Sequence, residues 1–365
     1  MGGRTAVAYN FSPGPAVLPS SVREEIVADI AGSPVGVSII ESSHRGKAYD
    51  AVHWEAMDLC RRLYAVPDEI AILFLQGGAT LQFAMVPQNL IRPGRSADFV
   101  LSGWWAKKAL AEAKILGAGH RVAGSSEDRG FTCVPHQREL DLDSAAEYAH
   151  ITTNNTVYGT QAHVFPDTGG VPIAADMSSD LLSRPVPWDR IGIAYGGAQK
   201  NAGVAGLTTV FIKRELLDRE SSSTPTPLRY STYAESDSLY NTPPVFAVFC
   251  FLLVLRWIDR QGGLEALARE NGAKAARVYE AVDQSGGFYR GYAEVPSRSL
   301  MNVTYNLQNG DLEPRFVREA ETAGLLNLAG HRAVGGVRAS LYNAMSLEGC
   351  EALADFMADF ARRHG

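Results

Sequence analysis

Apolar and polar positions alternate along this chain in short blocks that switch period repeatedly. Apolar runs at Ile70–Leu75, Asp98–Leu101, His120–Val122, Tyr148–Thr152, Pro172–Ala175 and Ile191–Tyr195 predict strands, and helical spacing near Leu81–Leu90 and Trp105–Leu116 predicts helices between them. Strand and helix in alternation predict an α/β unit, a mostly parallel sheet with helices on its faces. Upstream, Ser20 or Ser21 can cap a first helix with Val22, Ile26 and Ile30 on its apolar positions. A second helix places Val52, Ala56, Leu59 and Leu63 on one face, with His44 and Arg45 at its entry. The most apolar stretch, Val245–Leu255, ends at Arg256 and falls short of the ~20 residues a bilayer span needs. It reads as a buried core helix whose rigid start is Asn241-Thr242-Pro243-Pro244.

The pattern changes after Gly262 and Gly263. Amphipathic helices at Leu264–Val282, Glu313–Ala323 and Leu347–Arg362, with strand-like segments at Ser299–Leu307 and Val337–Tyr342, predict a smaller α+β unit. The expected organisation is a large domain over residues 17–260 and a small domain made of residues 261–365 with the turn-rich arm 1–16.

Composition narrows the function classes. A length of 365 residues suggests about two domains, and 46% hydrophobic with 20% charged residues is ordinary for a globular protein. A net charge of -6 argues against bulk binding to nucleic acid or anionic membranes, so any cationic site is local. Cys60, Cys133, Cys250 and Cys350 are far apart and form no CxxC pair, which indicates neither zinc nor a disulfide framework. The segment MGGRTAVAYNFSPGP has no apolar h-region. A reducing cytoplasm is the expected location.

Chemistry concentrates where strands end, the edge at which parallel sheets gather ligands. Gly77-Gly78-Ala79-Thr80 follows the first main strand and opens a helix, the form of a phosphate cradle, although many such turns use glycine for geometry alone. Trp105 follows the next strand and could offer a flat face to an aromatic ring. Thr153 to Thr156 are polar groups at the sheet mouth, and Asp176 ends an apolar strand. Asp176 can serve as the N-cap of a helix over the following SSDLL or as the anion beside a pyridine nitrogen.

Lys200 stands between the apolar runs Ile191–Tyr195 and Leu207–Ile212, among small residues that leave room for a bulky group. It is either a solvated loop lysine or one placed to form a Schiff base with pyridoxal 5'-phosphate (PLP). A phosphate loop, a stacking ring, a hydroxyl, a carboxylate and a lysine at neighbouring strand ends describe one PLP molecule. Near the C-terminus, Arg332 and Arg338 flank glycines, a setting in which guanidinium groups approach an anion.

From Asn10 onward the chain resembles the phosphoserine aminotransferases, fold-type-I PLP enzymes with a mostly parallel seven-stranded sheet. The resemblance is carried in order by NFSPGP (10–15), SHRGK (43–47), QGGATLQF (76–83), AADMSS (174–179), GAQKN (197–201), YNTPP (240–244), GHR (330–332) and GGVRASLYNAM (335–345). It implies ping-pong transamination between L-glutamate and 3-phosphohydroxypyruvate in serine synthesis, and in many members pyridoxine synthesis as well. Lys200 then resembles the Schiff-base lysine, Asp176 the partner of the pyridine nitrogen, Trp105 the stacking ring and Thr156 the hydroxyl beside the phenolic oxygen. Ala79, Thr80 and Gln199 match the phosphate cradle, which Asn241 and Thr242 would complete from a second subunit, implying a homodimer with interfacial sites. His44, Arg45, His331, Arg332 and Arg338 resemble the substrate-anion residues. Thr80 departs from the pattern, since some members carry arginine there. Rival readings are another fold-type-I aminotransferase, such as an alanine/serine-glyoxylate type, a desulfurase, and a non-catalytic nucleotide-binding module. A desulfurase wants a cysteine on a mobile loop, whereas Cys250 and Cys350 fall in apolar helical stretches.

Overall fold

The structure, a computed structural model, describes residues 8–32 and 36–365. The first seven residues of the expected arm lie outside them. In chain order the first half comprises β1 (Tyr9–Asn10), α1 (Ser20–Gly32), α2 (Lys47–Leu63), β2 (Ile70–Leu75), α3 (Gly78–Leu90), β3 (Ser96–Leu101), α4 (Trp104–Ile115), β4 (Gly119–Ser125), β5 (Ala149–Thr152), β6 (Asn154–Asn155), β7 (Thr160–Gln161) and β8 (Ile173–Asp176). The remainder comprises β9 (Ile191–Gly197), β10 (Thr208–Lys213), α5 (Tyr230–Glu235), α6 (Val245–Arg260), α7 (Gly263–Asp283), β11 (Tyr289–Gly291), β12 (Asn302–Leu307), α8 (Glu313–Thr322), β13 (Leu325–Leu326), β14 (Val337–Ser340) and α9 (Leu347–His364).

The central sheet has seven strands in the order β2-β10-β9-β8-β5-β3-β4, and only β10 runs against the rest. This is the mostly parallel α/β sheet that the alternating pattern predicts. Its strands are buried on both faces, so they read as continuous apolar runs; all six residues of β2 are buried. One face packs on α2 and α6 through Phe74, Phe211, Phe251 and Leu255, and the other on α3 and α4 through Phe83, Leu90, Phe99 and Leu110. The strand β9 extends past Tyr195 to Gly197 because Gly197 pairs with Thr208 of β10. Composition alone assigns those glycines to a loop.

Helix α2 buries a stripe offset from the expected one. Tyr49, His53, Ala56 and Cys60 point inward, while Val52, Leu59 and Leu63 are only partly buried. Aliphatic spacing misses this because the imidazole is accommodated as a core ring: His53 meets Phe74 edge-on at 5.5 Å and its Nδ1 lies 3.3 Å from the Tyr49 hydroxyl. Residues after Asp176 form turns rather than a helix.

A separate apolar cluster joins Phe11 to α7, α8, α9 and the three-stranded antiparallel sheet β11-β12-β14. The arm reaches it through β1, which pairs in parallel with β13 at Tyr9↔Leu325 and Asn10↔Leu326. Pairs this short leave no periodic signal.

The turn behind Asp176 is tied to α2. The hydroxyl of Tyr64, at the end of that helix, accepts the Leu182 N–H at 3.1 Å, and its carbonyl accepts the Trp188 indole N–H at 2.7 Å. Tyr64→Phe leaves a buried N–H without its partner and is expected to cost ~1–3 kcal/mol, read from the denaturant midpoint at constant m-value. An unchanged midpoint would mean that the bond contributes nothing.

Candidate active site

Strands β2, β3, β5, β8 and β9 deliver their carboxyl ends to one edge of the sheet, where a cavity of about 350 Å³ opens. The turn after β2 sets one wall. Gly77 has φ +88°, and a Cβ there would lie 2.5 Å from the Leu81 side chain, so glycine is required for α3 to start where it does. The first N–H groups of α3 have no carbonyl of their own helix to bond, and Ala79 and Thr80 of that turn line the cavity. Trp105, in the first turn of α4, forms a second wall; its indole nitrogen is buried and has no hydrogen-bond partner.

Lys200 emerges from the turn after β9. Its amine donates to Thr156 Oγ1 at 2.6 Å. Burial pulls the amine down to about 8, working against the field of Asp176, which favours the charged form; Arg338 pushes it further down. Asp176 ends β8, directly opposite Tyr195 of β9 in the pairing register. Its Oδ1 accepts both the N–H and the hydroxyl of Ser178, at 3.0 and 2.6 Å. Burial raises the Asp176 carboxyl above the ordinary carboxylate range, with Ser178 and Lys200 opposing it. No helix follows Asp176, so it is not a helix N-cap; one oxygen caps the turn instead, and the carboxylate still faces the cavity.

The C-terminal unit supplies the remaining wall. Arg338 of β14 is buried, donates from Nη1 to the Thr156 carbonyl at 3.3 Å and has an unpartnered Nε. His331 also lines the cavity, and burial with the neighbouring Arg338 and Arg332 guanidiniums lowers its pKa, favouring the neutral ring. The arm closes over the lysine: Ala16 N–H bonds the Gln199 carbonyl at 2.9 Å, and a Cβ on Gly14 would lie 3.2 Å from Lys200 Cγ.

Of the residues singled out from the sequence, Ala79, Thr80, Trp105, Thr156, Asp176, Gln199, Lys200, His331 and Arg338 share this cavity. His44, Arg45, Arg332, Asn241 and Thr242 do not line it. Arg45, Arg332, Asn241 and Thr242 are exposed, and the Thr242 carbonyl accepts the Gln76 side-chain amide at 2.9 Å, beside the glycine turn. Sequence reading placed Asn154 at the sheet mouth, where it lines the cavity, and missed Ser178, Phe83 and Gly14 as lining residues. Ser178 carried a usable signal, since Asp-x-Ser favours an Asx turn. What holds Asn154 was not legible: its amide bonds Ser179 Oγ and Asn302 Oδ1, contacts that exist only after folding.

A lysine amine and a buried carboxylate across a cavity at the carboxyl edge of this sheet define a fold-type-I PLP enzyme. The profile of the class-V aminotransferases matches residues 8–353. A phosphoserine aminotransferase from Desulfosudis oleivorans is 53% identical over 361 residues, 98% of this chain and 99% of the relative. A solved phosphoserine aminotransferase from Bacillus circulans subsp. alkalophilus superposes with a TM-score of 0.96 at 47% identity, covering 98% of this chain and 99% of that one. A PLP-bound phosphoserine aminotransferase from Trichomonas vaginalis gives 0.90 at 36% identity, with 96% and 99% covered. The chain belongs to the class-V aminotransferase family, among the phosphoserine aminotransferases.

The residues present fit PLP. The buried Asp176 carboxylate forms no ion pair with a cation of the described residues, which suits a protonated ring nitrogen; the free N–H groups of α3 suit a phosphate, and the Lys200 amine suits an aldehyde carbon.

The lowered pKa is open to direct measurement. The rate of acylation of Lys200 in the apoprotein should rise as the pH passes through about 8 and level off above it, because the neutral amine is the nucleophile. Asp176→Asn removes the charge that favours the ammonium and should move that midpoint lower. A midpoint near that of free lysine would overturn the environment described.

Proposed function

We infer that the chain transfers an amino group between L-glutamate and 3-phosphohydroxypyruvate, giving 2-oxoglutarate and O-phospho-L-serine, with Lys200 and Asp176 as the catalytic pair. The observation that carries this reading is that a lysine amine, a buried carboxylate and a buried guanidinium, Arg338, share one cavity. When bound, PLP supplies an electron sink that makes the α-proton of an amino acid acidic. Asp176 would keep the ring nitrogen protonated, Trp105 would stack on the ring and Thr156 would meet the phenolic oxygen. Ala79, Thr80 and Gln199 would hold the phosphate near the start of α3. Thr80, in place of arginine, leaves that phosphate to backbone N–H groups and hydroxyls. Lys200 Nζ would hold the aldehyde end of PLP and, once freed, would serve as the base that takes the proton from the substrate Cα. Its tendency toward the neutral form near pH 8 suits it to take that proton. The arm at Pro13 and Gly14 lies over the amine and limits the entry of water.

Both substrates carry an α-carboxylate and a second anion. Arg338 is buried beside Thr156 and Lys200, so it suits the α-carboxylate, which is one bond from the reacting carbon. His331 lies at the cavity wall and Arg332 outside it, so these two, with His44 and Arg45 contributed by a second subunit, would meet the distal carboxylate or phosphate.

The enzyme acts as a homodimer in this reading, with Asn241, Thr242, His44 and Arg45 supplied to the opposite cavity. Support comes from exposed apolar side chains on the segments that carry them: Ile40 is 55% exposed, Trp54 46% and Tyr240 47%. The proposed division into a large PLP-binding domain (17–260) and a small domain (1–16 with 261–365) is supported by the separate apolar cluster around Phe11, Val278 and Phe360. The proposed cytoplasmic location is supported by four free, buried cysteines; among the described residues no helix is long and apolar enough to cross a membrane.

Three outcomes test this. Lys200→Ala should form no borohydride-trappable PLP adduct, and a trapped adduct would end the assignment. Arg332→Ala should lower kcat/KM for 3-phosphohydroxypyruvate by roughly ten- to a hundredfold, the range of a charged hydrogen bond, and spare pyruvate; Arg338→Ala should damage both. Mixing inactive Lys200→Ala with inactive Arg45→Ala under subunit exchange should restore about a quarter of the parent activity, because each mixed dimer regains one intact site. No restoration would place Arg45 in its own subunit's site or outside any site.

A further inference from the structure

Three asparagine side chains converge on the turn that follows Asp176, and the reading of the site so far gives them no part. The Asn201 amide, on the residue after Lys200, donates to the Ser179 carbonyl at 3.3 Å. The Asn343 amide donates to the Leu182 carbonyl at 2.9 Å, and the Asn271 amide lies 3.3 Å from the Ser183 carbonyl. The asparagines also bond one another. Asn201 Oδ1 accepts the backbone N–H of Asn343 at 2.9 Å, and Asn343 Oδ1 accepts the Asn271 amide at 2.9 Å. All three are buried, at 6%, 2% and 1% exposure for Asn201, Asn343 and Asn271.

The backbone they hold is not one the chain adopts by itself. Leu182 sits at φ +58°, a left-handed conformation costly for a side chain with a Cβ, and persists where surrounding bonds over-determine it. Its N–H is taken by Tyr64 and its carbonyl by Asn343. The 342–345 segment is itself fixed by a fully buried ammonium: Lys274 of α7 donates to the carbonyls of Tyr342, Asn343 and Met345 at 3.0, 3.2 and 3.0 Å. A firm C-terminal anchor therefore grips the residue after the lysine with one hand and the turn after the carboxylate with the other.

We propose that Asn201 and Asn343 are positioning residues that form a clasp between the C-terminal unit and the two loops bearing Lys200 and Asp176, and so fix the amine relative to the carboxylate for proton transfer. This rests on the assignment of Lys200 as the PLP-binding lysine. Neither asparagine lines the cavity, so the clasp acts through the backbone and touches no reacting atom.

The test uses PLP-loaded Asn201→Ala, Asn343→Ala and the double variant, with Asn89→Ala as a control. Asn89 is equally buried, and its amide bonds the Met85 and Leu228 carbonyls away from the cavity. Asn201→Ser replaces Asn201→Ala if the latter does not fold. Each single variant should lower kcat on the order of tenfold with KM within about twofold, since sub-ångström misplacement of a reacting group mainly lowers turnover. The visible circular dichroism of bound PLP, which reports how rigidly it is oriented, should fall in both variants and stay at the parent level in Asn89→Ala. The double variant should lose about as much as the worse single one, because both act through one unit. Parent-like kcat and dichroism in the clasp variants, with a lowered Tm matching that of Asn89→Ala, would reduce the asparagines to structural residues and overturn the proposal. Losses that multiply in the double variant would overturn the shared clasp. A PLP adduct trapped in Lys200→Ala would instead refute the lysine assignment beneath it.

Discussion

The constraint on which the rest of this structure depends is the separation, out of water, of an amine and a carboxylate that would otherwise pair. Burial disfavours both charges, pulling Lys200 down to about 8 and pushing Asp176 up. Left to close on each other, they would satisfy both penalties and leave no room for a ring. Each is instead held by a small neutral group, Lys200 by the Thr156 hydroxyl and Asp176 by Ser178. The parallel pairing of β8 with β9 then sets the spacing, because Asp176 leaves the sheet opposite Tyr195 while Lys200 follows beyond the end of β9. A cofactor that brings a cationic ring nitrogen and an aldehyde answers both groups at once.

The same economy explains why the C-terminal unit packs where it does. A sheet edge with buried charges needs a cover that carries its own polar groups without introducing unpaired ones. Strand β14 brings Arg338 to the Thr156 carbonyl, the following segment brings Asn343 to the turn behind Asp176, and the arm, stitched to β13, lays Gly14 over the lysine. These contacts reach the cavity from outside the sheet, so its shape depends on how firmly that cover is seated.

How much of this could be read from the sequence follows from what each feature depends on. The sheet was legible because its strands are buried on both faces and so stand out as apolar runs, and because the chemistry sits at their ends, where Gly77, Trp105, Asp176 and Lys200 interrupt those runs. The inward face of α2 was not, since Tyr49 and His53 count as polar in a pattern but pack as rings. The pairs β1 and β13 were too short to leave a period. Ser178 was within reach through its spacing from Asp176, whereas the bonds that hold Asn154 and the contacts of Asn343 arise only in three dimensions. For His44, Arg45, Arg332, Asn241 and Thr242, the motifs that named them outrun what one chain's own cavity contains.

That last group bears on specificity. With a net charge of -6 the protein does not attract anions in bulk, so two substrates that each carry two anionic groups must be recognised by cations placed one at a time. In the proposed reading Arg338, buried beside Thr156, would meet the carboxylate common to every amino acid and keto acid and could not tell them apart. Discrimination must come from the far end of the substrate, where a carboxylate and a phosphate both have to be accepted in alternate half-reactions. Exposed side chains such as Arg332 and Arg45 suit that task better than buried ones, because a flexible guanidinium fork can shift between two anions of different size without leaving an unpaired charge in the core. In that reading the reaction is set by the buried part of the site and the substrate by its exposed margin.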